Sequence, residues 1–282
     1  MKREFHPQWY IVLLALTAAI AGTAIRWRQL QTELLEDGSL MPGSYLHIVL
    51  IVLTVVLLGA LIGLLLPLSD RKNWEEVFTA HPLPNALKLL CAAGLFFGNV
   101  LLWLDPAPSS VFMMTQSPEI SAFLTKLLPP LGVLCALCIG IFAALCVLNK
   151  MPSSLLYMAA SIYLIVRLIV RFQAWNTDPS IYNYCFQLLA AICCMLGAFQ
   201  LSGFSLGIGH RRISIFWTLC AAVFSCFSLP DAVLNGTVSD MIVTVSLLGL
   251  MAVSALELLF CKESLPEAEP AEELQAPMSE DE

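Results

Sequence analysis

The sequence predicts an all-α protein, a polytopic transmembrane helix bundle of about eight spans with both termini on the cytoplasmic side. Hydrophobic residues make up 59% of the 282 residues and charged residues only 12%. The mean hydropathy is +0.81, whereas a soluble domain is about half apolar and a quarter charged. The apolar residues also come in blocks of about 18–20 residues, each long enough as a helix to cross a hydrocarbon layer of about 30 Å.

Eight apolar blocks are the candidate spans, and together they predict one bundle over residues 1–261. Trp9, Trp103 and Trp175 lie at block ends, where amphipathic rings prefer the headgroup level. The first block is expected to be retained rather than cleaved as a signal peptide, because Arg26 and Arg28 follow it directly. The blocks cover residues 9–26, 46–68, 85–104, 127–149, 153–174, 183–204, 212–230 and 240–261.

The connection between the third and fourth blocks, residues 105–126, is predicted to be a long external loop. Within it, Ser117 can cap a separate short helix that starts at Pro118. Pro129 and Pro130 then stand at the head of the fourth span, where they are the nearest candidates for a broken helix.

The distribution of Lys and Arg predicts the orientation, since cytoplasmic connections carry the excess of positive charge. Nine of these residues fall on one side of the spans and four on the other, with Arg167 left inside a span. The side with more Lys and Arg contains both termini. An even number of spans requires the two termini to share a side, so the span count and the charge count agree. The cytoplasmic set is Lys2, Arg3, Arg71, Lys72, Lys88, Lys150, Arg211, Arg212 and Lys262, and the external set is Arg26, Arg28, Lys126 and Arg171.

Residues 262–282 are predicted to be a disordered acidic tail in the cytoplasm. They contain eight Asp or Glu residues and one lysine, and this difference equals the net charge of −7 for the whole chain. Few large apolar side chains are present to build a core. The tail either keeps this end solvated or docks onto a basic surface of a cytoplasmic partner.

No motif in the sequence predicts a catalytic residue, a cofactor or a metal site. The ten cysteines fall within or at the end of apolar blocks and are expected to be packing residues. Cys135 and Cys138 form a C-x-x-C pair without the second ligand pair that zinc needs. Ser205 lies in a G-x-S-x-G pattern at a span end, near His210, whereas hydrolases place this motif on a strand-to-helix turn with a histidine and an acid converging on the serine.

Pairs of glycines four residues apart mark helix faces that another backbone can approach closely. We expect these faces to pack within the bundle rather than between two copies of the chain. The pairs are Gly59 and Gly63, Gly94 and Gly98, and Gly203 and Gly207.

Tyr163, Arg167, Arg171 and Trp175 are the candidate ligand-binding residues, because their four-residue spacing places them along one face of the fifth span. Arg171 can reach the outer headgroups along its aliphatic stem. Arg167 lies about one turn deeper, where a charge costs up to roughly 2.5–3.5 kcal/mol. Arg167 should therefore face the bundle or a wet cavity.

Two roles are open for this cationic stripe. In the structural role, Arg167 pairs with Asp231 or Asp105 and holds helices together. In the functional role, the guanidinium groups bind an anion such as a lipid phosphate or a substrate carboxylate, which their planar fork suits. The acids at the same level are Asp105, Asp178, Asp231 and Asp240, and Gln187 and Asn99 are further polar groups there.

Glu257 lies near the inner end of the eighth block, about four residues or ~6 Å from the water-facing end. It can face inward as a proton or cation site, or it can reach outward beside Lys262.

One run of the sequence extends from Tyr163 to Pro179 and contains Arg167, Arg171-Phe172, Trp175 and Asp178. Tyr184-Cys185-Phe186 follow it. This pattern resembles one in uncharacterised bacterial multi-span integral membrane proteins. The resemblance covers about a third of the chain. It implies a multi-pass protein of the bacterial cytoplasmic membrane and carries no activity, substrate or cofactor.

Three classes of function fit these features. The first is transport or binding of a small or lipidic anion through the stripe. The second is a membrane sensor or accessory subunit that signals through a partner chain. The third is an enzyme that modifies a lipid phosphate, ranked last because no paired acid and base or metal cluster is visible. The expected partners are the lipid bilayer, an anionic lipid or small-molecule ligand and a cytoplasmic partner for the tail, with no nucleic acid among them.

Overall fold

The computed structural model describes residues 7–33, 41, 44–68, 82–104, 118–148, 150, 152–175, 184–234 and 236–260, of which 7, 118–122, 174 and 175 are described by their backbone alone. The predicted acidic tail lies outside the described residues.

Every long element in these ranges is an α-helix, and all eight helices are long and apolar enough to cross a membrane. The predicted fold class is therefore confirmed. The helices are α1 (Pro7–Thr32), α2 (Tyr45–Leu65), α3 (Pro82–Leu104), α4 (Pro118–Val147), α5 (Leu156–Trp175), α6 (Cys185–Gly203), α7 (Arg211–Leu234) and α8 (Val238–Phe260).

The fourth span differs from its prediction. A separate short helix at Pro118 was expected, but α4 runs unbroken through Pro129 and Pro130 to Val147. The physical reason is that irregular backbone facing lipid would expose N–H and C=O groups with no water to bind them. The helix therefore continues despite the hydrogen bonds that the prolines remove.

Both chain ends of the bundle lie on the same side. The rings of Trp9, near the start of α1, and Phe260, the last residue of α8, are 4.9 Å apart. We call this the terminal end, where α1, α3, α5 and α7 begin, and the other the opposite end. The side of the membrane that each end faces stays a prediction.

Helices α7 and α8 form the centre of the bundle. Helix α7 packs against α1, α6 and α8, and α8 packs against α3 and α7. Helix α2 lies at the edge, against α1 and a shorter stretch of α7. Close packing at the centre brings the polar side chains of these helices within hydrogen-bonding reach of one another.

The three glycine pairs have different surroundings. The prediction is wrong for Gly203 and Gly207, because Gly207 lies in the turn after α6 with a φ of 68° and not on a helix face. On α3, a Cβ at Gly98 would lie 2.6 Å from a methyl carbon of Val243, and one at Gly94 would lie 2.2 Å from the hydroxyl of Ser246. Packing within the bundle is thus confirmed for this pair, which lets α3 approach α8. At Gly59 and Gly63 of α2, by contrast, a Cβ would meet no described atom within 4 Å.

The contrast between these pairs gives a matched test of packing. Gly98→Ala is expected to lower the free energy of unfolding by about 1–3 kcal/mol, because the added methyl overpacks the α3–α8 contact. Gly59→Ala should leave it unchanged or raise it slightly, since alanine favours the helix. Reversible unfolding of both variants in detergent measures the difference. Equal effects would contradict the close α3–α8 contact.

Candidate functional site

The candidate site is built on one face of α5. Tyr163 and Arg167 are buried, and the Arg171 side chain is 19% exposed. Residues four apart lie above one another on a helix, so the three side chains form a continuous line that points into the bundle. Trp175 ends α5, but its side chain lies outside those that the structure describes.

Both arginines bind the same carboxylate. The Arg167 Nη2 donates to Asp240 Oδ1 at 3.1 Å, and the Arg171 Nη2 donates to the same oxygen at 2.8 Å. This shared aspartate joins α5 to the start of α8.

The local sequence of α8 holds Asp240 in place. Thr237 directly precedes the helix, and its Oγ1 accepts a hydrogen bond from the Asp240 backbone N–H at 3.2 Å. The same hydroxyl lies 3.3 Å from the second carboxylate oxygen, Asp240 Oδ2. Thr237 is thus the N-cap of α8, and the positive end of the helix dipole favours the carboxylate at this position.

A hydrogen-bond chain continues from Arg167 toward α3. Its Nη1 donates to the Tyr163 hydroxyl at 2.9 Å, which in turn donates to Asn99 Oδ1 at 3.1 Å. Asn99 is fixed through its Nδ2, which donates to the Leu95 carbonyl at 2.7 Å. On α4, a Cβ at Gly132 would lie 2.1 Å from the Asn99 Oδ1. The absence of a side chain at Gly132 therefore leaves room for the Asn99 amide.

A small cavity lies beside the arginines, between α5, α6, α7 and α8. The cavity has a volume of about 20 Å³, which is enough for about one water molecule. Both guanidinium groups line it, and polar groups face them from the other helices. These are Gln187 of α6, Ser225 and Ser228 of α7, and Thr244 of α8.

The sequence predicted four acids at the level of Arg167, and the structure assigns a partner to two of them. Asp240 is the partner of Arg167. Asp231 is not, because it pairs with Arg26 of α1 instead. Asp105 and Asp178 lie outside the described residues, so their roles as ion-pair partners stay predictions.

The Arg26–Asp231 pair is a second ionic contact at the opposite end. Arg26 is fully buried and uses two nitrogens, with Nη2 to Oδ1 at 2.7 Å and Nε to Oδ2 at 3.1 Å. Its Nη1 donates to Gln29 Oε1 at 2.8 Å, and the guanidinium lies 5.8 Å from the centre of the Phe186 ring. The two-pronged geometry suits a fixed clamp between α1 and α7.

From the sequence, Arg26 was counted among the charged residues that flank a span, and the pairing of Arg26 with Asp231 was therefore missed. A signal was present in the pattern of small residues along α1. Ala15, Ala18, Gly22, Arg26 and Gln29 follow helical spacing and share a face. All are buried, so the arginine continues a packing face rather than ending a span.

Glu257 faces inward. It forms an ion pair with Lys88 of α3, whose side chain is fully buried. Lys88 was counted from the sequence among the cytoplasmic flanking charges, but it lies inside the bundle because its partner is on α8.

The other sequence motifs take ordinary structural positions. The Ser205 hydroxyl donates to the Ser202 carbonyl at 3.0 Å, at the turn that follows α6. Cys135 is buried, Cys138 is half-buried, and the cysteines of the described ranges are free thiols. Among the residues that the structure describes, no group of three His, Cys, Asp or Glu is placed to hold a metal ion.

The assignment of Asp231 to Arg26 can be tested with a double-mutant cycle. Arg26→Met alone should lower the free energy of unfolding by about 3 kcal/mol or more, because it leaves a buried carboxylate unpaired. Adding Asp231→Leu should recover part of that loss. In the control cycle, Arg167→Met and Asp231→Leu should add within about 0.5 kcal/mol. Strong coupling between Arg167 and Asp231 in the control cycle would contradict the assignment of Asp231 to Arg26.

No protein-family model, curated protein or solved structure matches this chain. The resemblance to bacterial multi-span proteins therefore stays a prediction. What the structure supports is a multi-pass helical bundle, with ionised side chains paired between its helices.

Proposed function

We propose that the protein binds a small anion at Arg167 and Arg171, in the cavity between α5, α6, α7 and α8, and that this anion is the cargo of a membrane transporter. The observation that carries the proposal is the sharing of one carboxylate oxygen by two guanidinium groups beside a polar cavity.

The geometry of the shared aspartate differs from that of a fixed clamp. Arg26 binds both oxygens of Asp231, whereas Arg167 and Arg171 share one oxygen of the Asp240 carboxylate, Oδ1. A guanidinium fork suits two oxygens of one carboxylate, so the contact with Asp240 is a poorer match than the contact between Arg26 and Asp231. An anion that offers two oxygens would therefore compete with Asp240 for these arginines.

The cavity wall supplies neutral donors for such an anion. Ser225, Ser228 and Thr244 offer hydroxyl groups and Gln187 an amide, and each can donate a hydrogen bond. The Ser228 hydroxyl donates to the Ser225 carbonyl at 2.9 Å in this structure and would exchange that bond for one to the anion. Because the cavity holds about one water, the ligand is a small anion, or it enters as Asp240 moves aside.

Asp240 is therefore proposed to act as a tethered competitor. Its side chain is 36% exposed, so it is the part of the site that opens most easily. An arriving anion takes over the arginines and releases the carboxylate, which keeps its Thr237 contact at the start of α8. The first turn of α8 is then no longer tied to α5, which provides the movement that transport needs.

The side from which the anion reaches the site is inferred from the predicted topology. The Lys and Arg distribution predicts that the opposite end, and with it the arginines, faces the outside of the cell. We propose a bacterial cytoplasmic membrane as the location. The anion would then enter the site from outside, past Asp240.

Binding of acetate and chloride to the purified full-length protein tests the proposal. Arg167→Ala is expected to weaken binding about tenfold or more, the equivalent of losing a charge-assisted hydrogen bond of about 1.5–3 kcal/mol. Asp240→Asn should strengthen binding, because the competing carboxylate is neutralised. Isothermal titration calorimetry in detergent gives both affinities.

Two matched variants control this measurement. Arg28→Ala removes an exposed arginine at the same end and should leave binding unchanged. Asp231→Asn neutralises the other aspartate and should not strengthen it. If Asp240→Asn binds no anion more tightly than wild type while remaining folded, Asp240 is a structural partner of the arginines and the anion proposal is wrong.

A further inference from the structure

The terminal half of the bundle contains a buried ion pair that is separate from the anion site. Lys88 of α3 pairs with Glu257 of α8, and their side chains are 0% and 6% exposed. The ammonium group also lies 5.5 Å from the centre of the Phe142 ring on α4. Removing two charges from water costs several kcal/mol each, and an ionisable group inside a membrane span is a functional candidate by default.

Two hydroxyl groups border this pair. Tyr157 of α5 and Ser254 of α8 are fully buried, and Tyr157 packs against Phe142 with ring centres 4.9 Å apart. Tyr157 adjoins both Lys88 and Ser254, yet neither hydroxyl oxygen completes a hydrogen bond of good geometry with the described residues. A buried hydroxyl in this state usually has a water molecule or an ion as its partner.

The pair is close to the terminal end of the bundle. Glu257 is three residues from Phe260, or about 5 Å along the helix axis. Lys88 is six residues from Pro82, or about 9 Å, and the buried side chain of Asn85 lies between them. The distance between this end and the pair is therefore short, and Asn85 is a polar side chain along it.

The groups that influence Glu257 come from every helix around it. Lys88 of α3 carries the charge that pairs with it, and the neutral side chains of Tyr157 on α5 and Cys146 on α4 lie nearby. From α7, Arg211 donates to the two backbone carbonyls that follow Glu257, at 2.8 and 3.2 Å. Arg211 thus binds the backbone at the end of α8, and Lys88 forms an ion pair with the Glu257 carboxylate.

We propose that Lys88 and Glu257 form a proton-binding site in the terminal half of the bundle. Uptake of one proton from water converts the Glu257 carboxylate into a carboxylic acid, while Lys88 stays an ammonium ion. The ion pair between α3 and α8 is lost and the site gains one positive charge. Release of the proton to water restores the pair. This site does not depend on the anion proposal.

Infrared difference spectroscopy of the full-length protein in lipid nanodiscs tests this site as the pH is lowered stepwise. Solvated carboxylates, such as those expected in residues 262–282, also become carboxylic acids as the pH falls, so the signal to follow is the band of a buried carboxylic acid, which lies at higher wavenumber. Wild type is expected to gain this high-wavenumber band, which Glu257→Gln lacks and Asp231→Asn keeps. Calibrated proton uptake should fall by one proton per chain in Glu257→Gln. In Lys88→Gln the band should appear at higher pH, because the cation that favours the carboxylate is gone.

Three results would overturn the proposal. The first is a wild-type protein that gains no high-wavenumber carboxylic-acid band over the pH range in which it stays folded. This result needs no variant, so a misfolded Glu257→Gln does not block the test. The second is a band that persists in folded Glu257→Gln. The third is a folded Lys88→Gln whose band appears at the wild-type pH.

Discussion

Each cation buried in this apolar bundle needs an acceptor, and that requirement shapes the rest of the structure. A charge that leaves water without a partner costs several kcal/mol, more than the packing of most single side chains returns. Arg26 meets Asp231, Lys88 meets Glu257, and Arg167 meets Asp240. Each pair adds an ionic contact at a fixed height between two helices. They join α1 to α7, and both α3 and α5 to α8.

Helix α8 is held by cations at both ends, for two different reasons. At its start, the helix dipole and the Thr237 cap favour the Asp240 carboxylate, which then attracts the two arginines of α5. At its end, Arg211 binds backbone carbonyls that have no partner within the helix. The two acids of α8, Asp240 and Glu257, are 17 residues apart, or about 25 Å. Loss of the ion pair at Asp240 or at Glu257 removes one side-chain contact of the same helix, which relates the proposed anion site to the proposed proton site.

The spans were predictable from the sequence because long apolar blocks have few alternatives in a membrane. The inward direction of Arg167 was predictable too, since a charge at that depth has to face the bundle. Its choice of Asp240 among four acids was not, because it depends on how α5 and α8 sit against each other. Arg26 was misjudged from its position at a span end, although the small residues before it follow one helix face. The two prolines of α4 were expected at a helix start, but the lack of water for free backbone groups keeps that helix continuous.

The most direct test of the anion site is a crystal structure of the full chain grown with bromide, read by anomalous scattering. We expect a bromide peak in the cavity, within hydrogen-bonding distance of Arg167 or Arg171, and the Asp240 carboxylate turned away from at least one of them. Ordered bromide elsewhere in the crystal, with no peak beside the arginines and Asp240 still bound to both, would contradict the proposed site.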